Sequence, residues 1–215
     1  PLDIAYEDDD IIVINKPFDM PAHPSAGNHD NTLANALMYY YGSQNKPFVY
    51  RCINRLDRDT TGLTIVAKHA LAGGILGNAV AKRAIHRTYY AVCSGCTPAY
   101  MRISAPIARK DASTIERCVD FKRGENAVTD FIRIKYNPDN NLSLVKLRLL
   151  TGRTHQIRVH MKYIGFPLIG DFLYNPDYTY ISRQALHSGR LVFTHPVTGQ
   201  KMNLISDIPS DMKSL

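Results

Sequence analysis

Residues 54–62 read Asn-Arg-Leu-Asp-Arg-Asp-Thr-Thr-Gly, and the apolar run at residues 63–67 follows without a break. Because this run follows a glycine and is rich in β-branched residues, it predicts a buried strand. The polar stretch, called the Asp57 loop from here on, is therefore expected at the mouth of that strand, where a rigid sheet can present it.

Asp57 is the residue of greatest chemical interest in this loop. Arg55 and Arg58 flank it, and nearby positive charge keeps a carboxylate ionised even when it is partly buried. An ionised carboxylate suits a nucleophile, or a group that stabilises developing positive charge. Spacing alone slightly favours a surface loop with solvated ion pairs, in which Arg55 would pair with Asp59 or another surface acid.

Charge is unevenly distributed along the chain. The net charge is +7 overall, −5 over residues 1–50 and +5 over residues 51–90, and residues 151–162 add three basic side chains without an acid. Basic residues concentrated beside an acidic region indicate a polyanionic partner, most simply a nucleic acid. We expect the two basic segments to line one cleft.

Length and cysteine content narrow the class of protein. The 215 residues suffice for one sizeable domain with its own core, and we predict a single domain over residues 1–215. No apolar run approaches the roughly 20 residues of a membrane span. Four cysteines in a chain of this length indicate a reducing cytoplasm. Cys93 and Cys96 have metal-ligand spacing, but no second Cys or His pair accompanies them, so we interpret them as packed thiols.

The segment at residues 151–160 reads Thr-Gly-Arg-Thr-His-Gln-Ile-Arg-Val-His. Thr154 is a candidate N-cap for a helix that Gly165 would end. His155 and His160 are five residues apart, which is the wrong spacing for a zinc pair on one helix face. We interpret both as hydrogen-bonding residues.

Weaker signals elsewhere predict the remaining helices and strands, and with them an α+β fold. Its centre is expected to be a large mixed, mostly antiparallel sheet of about ten short strands, with flanking helices on one side. Besides the two segments above, the predicted helices are 32–41 and 69–83, and the predicted strands include 11–14, 48–53, 87–92, 126–136, 142–150, 191–196 and 202–205. Lys16, after the first strand, is expected to be solvated or to contact a phosphate.

Three of these segments together resemble the RluA-type pseudouridine synthases, which modify uridines in large-subunit ribosomal RNA and in some tRNAs. The segments begin at Arg55 (Arg-Leu-Asp-x-x-Thr-Thr-Gly), at Arg87 (Arg-Thr-Tyr-Tyr-Ala) and at Gly152 (Gly-Arg-Thr-His-Gln-Ile-Arg-Val-His). The family usually has His at Asn54, Ser at Thr61 and Lys at Arg87. The resemblance extends over nearly the whole chain.

This resemblance implies a single catalytic domain with a central RNA-binding cleft. Members of the family often carry a separate small RNA-binding domain ahead of it, and we expect none in this sequence. It implies isomerisation of uridine to pseudouridine in rRNA or tRNA by a cytoplasmic monomer that uses no metal and no cofactor. Asp57 would be the catalytic carboxylate, Tyr89 would support the base, and Arg158 would hold Asp57 in place and ionised. Further substrate-binding residues would be Arg55, Arg58, Thr60, Thr61, Arg87, Arg153, His155 and Gln156.

Two other classes of protein stay open on the sequence. A glycoside or nucleoside hydrolase would also use Asp57, but it needs a second, protonated carboxylate, for which Asp59 is the near candidate. An RNA-binding module would explain the charge distribution but gives Asp57 no purpose.

Overall fold

The computed structural model describes residues 2–25, 27, 29–111 and 115–213. They divide between unit 1 (Pro1–His86 and Ser188–Asp207) and unit 2 (Arg87–His187 and Ile208–Leu215). In chain order the strands and helices are β1 (Ile4–Glu7), β2 (Ile11–Lys16), α1 (Leu33–Gly42), β3 (Arg51–Cys52), β4 (Thr61–Ala67), α2 (Ala70–Ala81), β5 (His86–Ser94), β6 (Tyr100–Ser104), β7 (Ile107–Arg109), β8 (Arg117–Val119), β9 (Val128–Asn137), β10 (Leu142–Leu149), α3 (Gln156–Tyr163), β11 (Leu186–Thr194), β12 (Lys201–Ile205) and α4 (Ser210–Lys213).

Strands β2 and β4 form the centre of unit 1, in the strand order β1-β2-β4-β11. All of β4 is buried, and β2 is apolar over its first four residues, as expected of strands that are covered on both faces. Ile11 and Val13 pack in a cluster with Leu76 of α2. Ile12 and Ile14 pack in a second cluster with Leu37 of α1. Alternate residues of β2 thus face different helices, and the expectation that the helices pack on one side of the sheet is wrong for unit 1.

The sheet strands of unit 2 follow the order β5-β10-β9-β6. The predicted hairpin is present: β9 and β10 pair antiparallel, and β10 also pairs antiparallel with β5. Strands β7 and β8 form a separate antiparallel ribbon. The prediction of an α+β fold with a mostly antiparallel sheet is confirmed. No helix of the described residues is long and apolar enough to cross a membrane.

The observed ends of two predicted elements differ from the prediction, and the ends of two helices are explained by their caps. Strand β3 has two residues, where six were predicted at 48–53. Helix α3 begins at Gln156, and its N-cap is His155 in a left-handed conformation (φ 57°), not Thr154. Helix α1 begins as expected, because the Thr32 side chain accepts a hydrogen bond from the Asn35 backbone N–H. The glycine-rich α2 forms because His69 caps it and Leu76 anchors it in the core.

A glycine is required where the Asp57 loop joins β4. Gly62 has φ of 108°, and a Cβ there would lie 2.3 Å from the carbonyl oxygen of Ser188 in β11. The backbone of β4 therefore approaches β11 more closely than any side chain at position 62 allows.

Gly62→Ala should lower the free energy of unfolding by about 2–6 kcal/mol, the combined cost of left-handed strain and of overpacking. Gly74→Ala is the matched control, because a Cβ at Gly74 in α2 has nothing within 4 Å. It should stabilise the protein by about 0.5–1 kcal/mol. Denaturant unfolding of both variants measures the difference, and equal stabilities would contradict the close approach.

Candidate active site

The buried Lys16 holds the Asp57 loop in place through hydrogen bonds from its side chain. Its side chain is 1 % exposed, and its Nζ donates to the carbonyl oxygens of Pro17 (2.8 Å), Met20 (2.9 Å) and Arg58 (2.8 Å). A buried ammonium is tolerated only when hydrogen bonds replace its hydration. Lys16 therefore ties the end of β2 to the residue that follows Asp57. The sequence-based expectation of a solvated or phosphate-binding lysine is wrong.

Asn54 holds the other end of the loop. Its buried side-chain amide donates to the carbonyl of Leu63 (3.1 Å) and accepts from the backbone N–H of Ile65 (2.8 Å). Its own carbonyl accepts from the Thr64 hydroxyl (2.6 Å). The amide thus forms the two hydrogen bonds to β4 that a neighbouring strand would form. Asn54, which stands where the family usually has His, therefore has a structural role.

The two arginines beside Asp57 differ in their partners. Arg58 donates from Nε and Nη2 to both carboxylate oxygens of Asp59 (3.0 and 2.8 Å). Arg55 is exposed, and its guanidinium forms neither a hydrogen bond nor an ion pair with any residue that the structure describes. The alternative pairing of Arg55 with Asp59 is therefore not observed, because Arg58 occupies that carboxylate.

Asp57 itself lies half-buried in a tight turn. Its carbonyl accepts a hydrogen bond from the backbone N–H of Thr60 (3.2 Å), and the side chains of Thr60 and Thr61 are buried. The Asp57 loop is thus held by hydrogen bonds on both sides of the carboxylate, from the Asn54 side chain before it and from Lys16 and the Thr60 N–H after it.

Tyr89 lies in the middle of β5, in unit 2. It is buried and pairs in register with Leu147 of β10. Its neighbour Tyr90 packs against an apolar cluster that contains Val92 and Ile169. Because successive strand residues point to opposite faces, the core of unit 2 uses Tyr90 and leaves Tyr89 as the tyrosine available on the other face.

Arg158 forms a buried ion pair with Asp171, also in unit 2. Its Nε and Nη2 donate to the two oxygens of Asp171 (2.7 and 2.8 Å), and both side chains are almost fully buried. The carboxylate also accepts from the backbone N–H of Leu173 (3.0 Å) and Tyr174 (3.2 Å). The rings of Phe172 and Tyr174 lie 5.4 and 5.0 Å from the guanidinium carbon. The edge of the Arg158 guanidinium that carries Nε and Nη2 is therefore held rigidly.

The turn before α3 is held by Gln156. Its amide oxygen accepts from the Thr151 hydroxyl (2.8 Å) and the Arg153 N–H (2.9 Å). Its amide nitrogen donates to the Val128 carbonyl (3.0 Å) and the Thr129 hydroxyl (3.0 Å). These bonds fix the turn that precedes Arg158; a contact between Gln156 and substrate stays a prediction.

Both histidines of this segment form hydrogen bonds, as predicted. His155 Nδ1 lies 2.9 Å from the Tyr174 hydroxyl, and burial raises the pKa of Tyr174 to about 12. His160 is buried between the Thr129 hydroxyl (2.8 Å) and the Ala105 carbonyl (2.9 Å). Burial lowers the pKa of His160, so its ring is held neutral.

A cluster in unit 1 has the composition of a metal site: Asp8, Asp10 and His195. The Nδ1 atom of His195 accepts from the backbone N–H groups of Val197 and Thr198. The proton must therefore sit on Nε2, which donates to Asp8 (2.8 Å). A metal ion at Nε2 would require that proton to leave, so the arrangement fits a structural hydrogen bond better than a cation site.

Lys16→Met should lower the free energy of unfolding by about 3 kcal/mol, because three buried carbonyls lose their donor. The exposed Lys46→Met is the control and should change it by less than about 0.5 kcal/mol. Denaturant unfolding measures both. Unchanged stability in Lys16→Met together with weaker RNA binding would instead support a phosphate contact.

Comparison with known proteins shows the family to which this chain belongs. The family model for RNA pseudouridylate synthase matches residues 10–163. The chain is 40 % identical over its whole length to the uncharacterised RNA pseudouridine synthase YhcT of Bacillus subtilis, of which it covers 71 %. It is 42 % identical, again over its whole length, to the ribosomal large subunit pseudouridine synthase D of Haemophilus influenzae, of which it covers 70 %.

Solved structures give the same assignment. The human RNA pseudouridylate synthase domain containing 1 matches 96 % of this chain and 83 % of its own, with a TM-score of 0.80 and 26 % identity. The human domain containing 4 matches 98 % and 90 % with a TM-score of 0.76, and its 21 % identity shows the fold alone. This chain therefore belongs to the RluA-type RNA pseudouridine synthases, the isomerases that convert uridine in RNA to pseudouridine.

Proposed function

We propose that this isomerase acts on a uridine of ribosomal RNA and that Asp57 is its catalytic carboxylate. The rRNA substrate is supported by relatives at about 40 % identity that are named ribosomal large subunit pseudouridine synthases. The role of Asp57 is supported by one observation above all. Its loop is fixed by the buried Lys16, yet the carboxylate itself lies half-buried, two residues from the exposed Arg55, which has no ion-pair partner among the described residues.

The reaction sets clear demands on that carboxylate. The base is detached from C1′ of the ribose at N1, turned while still held, and rejoined through C5, from which a proton leaves. Cleavage develops positive charge or a covalent intermediate, and one ionised, well-placed carboxylate can serve either purpose. A rigid loop keeps such a group in place without reorganisation at the moment of reaction.

Tyr89 and Arg158 complete the proposed chemistry. Tyr89 would support the base and assist removal of the C5 proton, and its burial in the middle of β5 supports a fixed ring. Arg158 would keep Asp57 ionised through a charge-assisted bond. The pair with Asp171 uses the Nε and Nη2 atoms of Arg158, so the guanidinium is oriented within unit 2 before it meets any substrate.

Hydrolysis is the less favoured chemistry. An inverting or retaining hydrolase needs a second carboxyl group that protonates the leaving group. Both oxygens of Asp59, the near candidate, accept hydrogen bonds from Arg58. Asp59 would have to give up that pair before it could act as an acid.

Asp57→Asn should keep the fold and the RNA affinity but lower turnover more than 100-fold, because an amide cannot act as a nucleophile or stabilise positive charge. Asp59→Asn is the neighbouring control and should stay active. Pseudouridine formed in a ribosomal RNA transcript, separated from uridine by liquid chromatography after digestion to nucleosides, gives both rates. Turnover of Asp57→Asn above one hundredth of wild type would contradict the assignment.

Arg55 is proposed to act on the RNA and not on the bond-breaking step. It would fill the space left by the extruded uridine, since a planar guanidinium stacks on bases and extrusion costs a few kcal/mol. Arg55→Ala should then slow turnover of a structured RNA strongly and of a short unpaired oligonucleotide only slightly. Equal losses on the two substrates would indicate a phosphate contact instead, and no loss on either would refute a role in RNA binding.

A further inference from the structure

An arginine-rich groove lies wholly within unit 2. Its lining residues do not include Tyr89 or Arg158, the residues of unit 2 that are proposed to be catalytic. It has a volume of about 490 Å³, and its walls are the β7–β8 ribbon, the turn that follows β8 and the turn before α3. Arg109, Arg117, Arg123 and Arg153 line it, with Glu125 as the acid among the lining residues. A volume of this size lies in the range of ligand sites, about 300–1,000 Å³.

Acidic residues hold two of these arginines in place. Arg123 is clamped between Asp120 (Nε, 2.8 Å) and Asp111 (Nη1, 2.7 Å). Arg153 pairs with Glu125, and its Nε donates to the Asn126 carbonyl (3.2 Å). Held in this way, both guanidiniums are fixed in orientation and their charges are compensated by the acids.

The other two arginines have no acidic partner among the described residues. Arg117 donates from Nη1 to the carbonyls of Ile115 and Glu116 (3.2 Å each), which orients its guanidinium without neutralising it. Arg109 is exposed and makes no hydrogen bond or ion pair within the part of the chain that the structure describes. Two uncompensated guanidiniums in one groove repel each other unless an anion lies between them.

The surroundings of the groove favour RNA as that anion. Gly152, at its edge, has the Arg87 guanidinium 3.1 Å from the position of a Cβ, so a fifth arginine reaches the edge of the groove. Phe121, two residues before Arg123, is 69 % exposed. Arginine forks recognise phosphates, and exposed aromatic rings stack on bases, so the two together are typical of nucleic-acid surfaces.

We propose that this groove binds the phosphodiester backbone of the RNA substrate. Arg109 and Arg117 contact the phosphates, while Arg123 and Arg153 shape the walls. The inference rests on the RNA substrate of the family and does not depend on the identity of the catalytic carboxylate.

The test is the salt dependence of RNA binding. Fluorescence anisotropy with a fluorescein-labelled single-stranded U20 RNA gives the slope of log K against log salt concentration for each variant. Each lost phosphate contact should reduce that slope by about 0.7. Arg109→Gln with Arg117→Gln should therefore flatten it by about 1.4, and Arg109→Gln alone by about 0.7. The control is Arg190→Gln, whose exposed side chain in unit 1 bonds Asn203; it should leave the slope unchanged.

An unchanged slope in the double variant would overturn the proposal, as would an equal loss in the control. Binding of poly-L-glutamate is measured in the same double variant. If it weakens as much as RNA binding does, the proposal is also overturned, because the groove would then bind acidic proteins or any polyanion. The kinetic constants KM and kcat distinguish a failure of this inference from a failure of the proposed function. The groove variants should raise KM and keep kcat, whereas failure of the Asp57 assignment appears in Asp57→Asn alone, with the groove slopes intact.

Discussion

A buried ammonium group is the constraint on which the Asp57 loop depends. Lys16 is 42 residues away from Arg58 in sequence, yet its Nζ lies 2.8 Å from the Arg58 carbonyl. Burial of a charge costs several kcal/mol unless hydrogen bonds compensate for it. Three carbonyl oxygens do so here, and those oxygens come from the end of β2, the segment after it and the Asp57 loop. The cost of burying the charge thus specifies one loop conformation.

Unit 2 has a similar buried charge network at Arg158, which is proposed to take part in catalysis. Arg158 is held by a buried Asp171, which also accepts two backbone N–H groups. Loss of one partner of such a pair is strongly destabilising, by about 3–5 kcal/mol, because the other charge is left buried alone. In both units a polar network, and not apolar packing, therefore fixes the side chain that is proposed to act in catalysis.

The sequence predicts the parts of this molecule that depend on local patterns. The strand after the Asp57 loop, the β9–β10 hairpin and helix α1 follow from periodicity, and the RluA-type motifs identify the family. The sequence does not predict that Lys16 is buried, because burial depends on carbonyls brought together by the fold. Asp171 and the His155 cap were missed for the same reason. Two signals could have drawn attention to Lys16 and Asp171. One is a lysine followed by proline directly after an apolar strand, and the other is an aspartate directly after Ile-Gly.

The measurement that tests this account most directly follows tritium from C5-labelled uridine in a ribosomal RNA transcript. Isomerisation predicts tritium release in equal amount to the pseudouridine formed, with no free uracil. Release of free uracil would show a hydrolase, and retention of all tritium in RNA that the protein binds would show a binding module; either result would contradict the assignment of this chain as an isomerase.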